Sequence, residues 1–119
     1  MTPKTKLINI LEGIQKPVIL QGSMAENAAY PDSFITFFTS NTEDIAHYDN
    51  DAKKWVWDFQ VVNYSNNPLT VAEQAEQIRK KLKEAGFIPQ GKGYDIASNE
   101  PTHTGWANDY YFIENESEE

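Results

Sequence analysis

Two histidines, two glycine-flanked or acidic loops and one run of tryptophans are the places where this chain has the residue types for chemistry. His103 lies in Glu100-Pro101-Thr102-His103-Thr104-Gly105, where an imidazole, two hydroxyls and a carboxylate fall within six residues. Such a group has the parts of an acid–base or hydroxyl-nucleophile site. Pro101 and Gly105 also make the segment a turning connection, and loops are polar in any case. His47 stands in a separate polar stretch that does not read as helix, so it has neither a second histidine nor a carboxylate at i+4 within a helix to form a metal pair. Asp49-Asn50-Asp51 has calcium-binding atoms but lacks the glycine and distal glutamate of an EF-hand loop. Gly91-Lys92-Gly93 is too short for a phosphate loop, since no Gly-Lys-Ser/Thr follows. Its glycines fit a bend or bulge in a strand. These readings give no catalytic residue, no cofactor and no metal, and the expectation is a protein that is not an enzyme.

The tryptophans sit in Lys53 to Ser65, which alternates Trp55, Trp57, Phe59 and Val61 on one side with Val56, Asp58, Gln60, Val62 and Tyr64 on the other. A period of two is the signature of a strand. Its apolar side needs a cover, and the chain supplies one. Val71, Ala75, Ile78, Leu82 and Ala85 repeat at helical steps, Thr70 and Glu73 have the spacing of a capping box, and Gly86 marks a stop. The helix expected over Val71 to Ala85 would lie on the tryptophan side. The expected core is therefore Trp55, Trp57, Phe59, Ile78, Leu82, Tyr110 and Phe112. The reverse side, with Asp58, Gln60 and Tyr64, is the part of this strand left to carry function.

The remaining elements follow from local signals. Thr2-Pro3 opens an apolar-striped helix ending near Gly13. Val18 to Gly22 and Phe34 to Thr39 read as strands, with Ser40 to Ala52 a hairpin connection that lines the phenylalanines up beside the tryptophans. Phe87 to Ser98 reads as one glycine-kinked strand and Trp106 to Ile113 as the last. The order α-β-β-β-α-β-β implies an α+β fold, a mostly antiparallel sheet of four to five strands with helices on one face. At 119 residues the chain fits one domain, taken as residues 1–113, with an acidic tail over residues 114–119.

Charge narrows the partners. Ten Lys and Arg against eighteen Asp and Glu give a net charge of −8, which opposes binding to nucleic acid or anionic lipid. No cysteine, no membrane-length apolar run and no signal-peptide pattern are present, so a cytoplasmic protein without disulfides is expected. The charges are unevenly placed. Glu43, Asp44, Asp49 and Asp51 form an acidic loop, and Arg79, Lys80, Lys81 and Lys83 crowd the end of one helix. The two groups are candidate complementary patches between identical subunits.

Three segments together resemble a known family: Lys53-Trp-Val-Trp-Asp-Phe-Gln-Val-Val-Asn-Tyr-Ser, Pro68-Leu-Thr-Val-Ala-Glu-Gln-Ala-Glu-Gln-Ile-Arg-Lys-Lys-Leu, and Ser98-Asn-Glu-Pro-Thr-His-Thr-Gly-Trp. They are similar to the tail-completion, or tail-terminator and head–tail joining, proteins of long-tailed bacteriophages and prophages. The resemblance covers Lys53 to Ile113. It implies an α+β structural protein without enzymatic activity, a homo-oligomeric ring, typically a hexamer, and the tail tube and head connector as partners. It also implies a place in the virion tail after assembly in the host cytoplasm. The alternative from charge alone is an acidic monomeric or dimeric interaction protein of phage or bacterial origin, an inhibitor whose surface mimics nucleic acid.

Overall fold

A computed structural model describes residues 2–14, 17–20, 31–44, 54–98 and 101–115. The chain order is α1 (Pro3–Glu12), β1 (Val18–Leu20), β2 (Ser33–Asp44), β3 (Lys54–Ser65), α2 (Pro68–Glu84), β4 (Ile88–Ala97) and β5 (Thr104–Asn115). The fold is α+β, and the strands form one five-stranded sheet in the order β1-β2-β3-β5-β4. All neighbouring pairs are antiparallel except β1 with β2. That parallel pair is separated by the connection of a dozen residues which parallel strands require.

Each helix begins with a side chain that satisfies one of its free backbone donors. In α1 the Thr2 hydroxyl accepts from the Thr5 N–H at 3.1 Å, with Pro3 in the first turn, where its missing N–H costs nothing. In α2 the cap is Asn67, whose Oδ1 accepts from Leu69 N–H at 3.0 Å, with Pro68 following. The capping box expected at Thr70 and Glu73 is thus not the start of this helix, because Asn-Pro supplies the stronger signal three residues earlier. At the other end Phe87 N–H reaches Leu82 O at 2.9 Å and Gly86 N–H reaches Lys83 O at 3.1 Å, with Gly86 at φ 99°. This is the Schellman closure, and it turns Phe87 back onto Leu82 in the core.

Both helices lie on one side of the sheet. Leu7 and Leu11 of α1 and Ile78 and Leu82 of α2 join Ile35, Phe37, Phe59, Val61, Phe87 and Tyr110 in one buried cluster. Trp57 and Phe112 pack against its margin, and the two rings of Trp57 and Phe59 stack with centroids 6.0 Å apart. Trp55 is outside the cluster and only half-buried, a correction to its expected place in the core. The reason is its place near the start of β3: Trp57, two residues further in, already packs only at the margin of the core, and Trp55 stands beyond it beside Glu114 and Asp44.

The register also moves the phenylalanines. Phe34, Phe37 and Phe38 stand opposite Tyr64, Val61 and Gln60, while Trp57 and Trp55 face Thr42 and Asp44. The polar residues Ser40 to Asp44 are a continuation of β2 rather than a loop, with Ser40 as an extra residue where the register shifts and its hydroxyl bonded to Asp58 O at 3.1 Å. Likewise Glu114 and Asn115 belong to β5 rather than to a tail. Glu114 Oε1 accepts from the Trp57 indole N–H at 2.9 Å, which fixes the strand end. Residues 116–119, and Asp49 and Asp51, lie outside the described residues.

Candidate functional site

Side-chain alternation and the strand register divide the sheet into a helix-covered face and an open one. On the open face, Glu43, Val56 and Ile113 stand in one row across β2, β3 and β5. Phe38, Gln60, Asp109 and Gln90 form another row across all four long strands, with Asp58 one pleat away on β3. Gln60 Nε2 donates to the Tyr94 hydroxyl at 3.0 Å, which holds that ring across β5. The result is a groove of about 220 Å³ lined by Phe38, Ser40, Asp58, Gln60, Gln90 and Asp109.

Two half-buried carboxylates, two amides and a hydroxyl make this groove an acceptor for a cation or for N–H donors. Its size is below the roughly 300–1,000 Å³ of small-molecule sites, so it has room for a side chain rather than a metabolite. Around it the face is unusually apolar for a surface. Tyr94, Ile113 and Ile88 are 46%, 45% and 39% exposed, which marks a surface of the kind that meets another macromolecule.

The far side of the molecule is mixed in sign, with a small excess of cations. Lys80 and Lys83 are exposed and Arg79 half-buried on α2, where with Glu76 and Glu84 they line a groove of about 440 Å³. Lys81 is exposed at the end of the same helix, where cations suit the helix dipole. Arg79 lies close enough to the buried Tyr110 to act on its phenol. Burial pushes that phenol up to about 12, opposed by the hydrogen bond from Asn108 and the Arg79 charge. Tyr110 is therefore a neutral structural group at ordinary pH.

The sequence-selected residues are thus redistributed. Glu43 is exposed on the open sheet face, Asp44 is a β2 residue paired with Trp55, and neither belongs to a loop. Asp58 and Gln60 do lie together in the groove, but Tyr64 stands apart, stacked on Phe34 at 4.9 Å. Asp109 and Gln90 escaped sequence reasoning, because only the cross-strand register brings them beside Asp58 and Gln60.

His103 has a positional role. Its Nε2 is 2.8 Å from the Pro31 carbonyl oxygen and its Nδ1 is 2.9 Å from the Thr102 hydroxyl. A carbonyl only accepts, so Nε2 is the donor to Pro31. The ring thereby ties the start of β5 to the chain entering β2. Neither groove described above includes it. Among the described residues, no group of three or more His, Asp or Glu is placed to hold a metal ion, and no helix is long and apolar enough to cross a membrane.

Comparison of the chain with protein-family models and with curated proteins found no match.

Proposed function

We propose that this chain is a structural tail protein of a long-tailed bacteriophage or prophage, one that completes the tail tube and joins it to the head connector as a homo-oligomeric ring. The observation that carries this reading is the presence of two unlike surfaces on opposite sides of one rigid sheet: an open face with an acidic groove and exposed Tyr94 and Ile113, and the basic flank of α2. A ring requires such a pair, since each subunit must use one patch to bind a different patch on the next. The α+β class agrees with that implied by the resemblance over Lys53 to Ile113, and the net charge of −8 suits a lining that does not hold DNA passing through it.

In this role the protein acts by binding, with no catalytic step, and its partners are other copies of itself, the tail tube protein and the head connector. The virion tail is its final place. The test is to mix the purified protein with tail tubes that lack their terminal ring and examine them by electron microscopy. A ring at one tube end is the expected result. A strictly monomeric protein that instead inhibits a nucleic-acid enzyme would replace this reading with that of an acidic inhibitor.

A further inference from the structure

The open sheet face has an area and a charge pattern that select its occupant. Strands of 12 residues in β2, β3 and β5 span roughly 40 Å at about 3.4 Å per residue, and four strands cover about 19 Å at their ladder spacing. The face therefore offers on the order of 800 Å², the amount one partner contributes to a standard specific interface. Among its ladder-paired residues it presents Glu43, Asp58 and Asp109 against Lys54. Two such faces brought together would set carboxylate against carboxylate, which is costly when water is excluded.

A second copy can meet this face favourably only through its cations, and those are concentrated. Four of the ten Lys and Arg residues in the chain fall at Arg79, Lys80, Lys81 and Lys83. Because α2 covers the opposite side of the sheet, one molecule can offer its open face to one neighbour and its α2 flank to another at the same time. The contact is heterologous, and it makes a ring when the rotation from one copy to the next closes.

We propose that the acidic groove at Asp58 and Asp109 receives the α2 cations Lys80 and Lys83 of a neighbouring copy, with Tyr94 and Ile113 flanking the contact. This identifies the subunit interface and rests on the ring reading above. Removing charge from a paired site of this kind weakens association by about thirty-fold or more.

The test uses two double variants, Asp58→Lys with Asp109→Lys and Lys80→Glu with Lys83→Glu, followed by sedimentation velocity over a range of protein concentrations, with circular dichroism as the check on folding. Wild type is expected to self-associate, each variant alone to stay monomeric, and the equimolar mixture to associate again. The mixture is rescued because the basic face of one variant meets the acidic flank of the other and vice versa. If wild type assembles and the variants assemble equally well, or the mixture stays monomeric, this interface is wrong while the ring survives. Monomeric wild type at every concentration overturns both.

A cysteine pair provides a second readout that does not depend on charge reversal. Since the chain has no cysteine, Gln90→Cys combined with Lys83→Cys should give a ladder of disulfide-linked oligomers under copper–phenanthroline oxidation. Each single substitution should give none beyond a dimer. Failure of the double variant to form a ladder under conditions where wild type self-associates counts against the interface.

Discussion

The Trp106 indole occupies the space a side chain on Gly93 would need. Its N–H donates to Lys92 O at 2.9 Å, and a Cβ built on Gly93 would press into the indole and come within 2.6 Å of Ala107 O. Gly91 and Gly93 both have positive φ, at 78° and 101°, and together with Lys92 they form the bulge between Gln90 and Tyr94. The bulge aims Tyr94 over the open face.

Gly93→Ala is expected to destabilise the fold by more than about 2 kcal/mol, combining left-handed strain with a clash against backbone. Gly91→Ala meets no atom within 4 Å and should cost only the strain, about 1 kcal/mol. Urea unfolding of the two variants checks the difference. Equal losses would mean the indole does not pack as described.

The two cap candidates on α2 are separable by mutation. Asn67→Ala removes the acceptor for Leu69 N–H and should cost about 1 kcal/mol. Thr70→Ala, inside the first turn, should cost less than about 0.5 kcal/mol. Thermal midpoints reveal which residue starts the helix.

Tyr110 makes the fold sensitive to alkali. The ordinary phenol value of 10 rises to about 12 in the fold, chiefly through burial, so the folded state holds this proton more tightly than the unfolded chain does. Its contribution is intact below pH 10 and is lost as pH rises from 10 toward 12, by roughly 2–3 kcal/mol. In Tyr110→Phe, stability should fall less between pH 9 and pH 11 than in wild type. An unchanged pH slope would contradict the buried placement of the hydroxyl.

The tryptophans of β3 should divide. Trp57 packs on the core and donates to Glu114, so Trp57→Ala should cost about 3 kcal/mol. Trp55, half-buried near the start of β3, should cost distinctly less on the same truncation. If Trp57→Ala left stability unchanged but abolished self-association, Trp57 would be an interface residue rather than a core one.

Much of this architecture was legible in the chain. The alternation of Trp55 to Val61 and the stop at Gly86 fixed the main strand and the end of its covering helix, and the order of elements followed. What escaped was set by pairing rather than propensity. Asn41, Thr42, Glu43 and Asp44 have the composition of a loop, yet they hold a strand because β3 supplies the ladder beside them. Trp55 reads as core by type, but its place near the start of β3, beyond Trp57 at the margin of the core, leaves it half-buried. The groove was half legible: Asp58 and Gln60 alternate onto the reverse face of β3, whereas Asp109 and Gln90 join them only through the register of β5 and β4.

A closed ring built from unlike surfaces is tested most directly by the mass of wild type in light scattering as concentration rises. One assembly that stops at a fixed multiple of 13.6 kDa, six subunits for a hexamer, is the expected result. A single 13.6 kDa species at every concentration, or a mass that grows without limit, would contradict it.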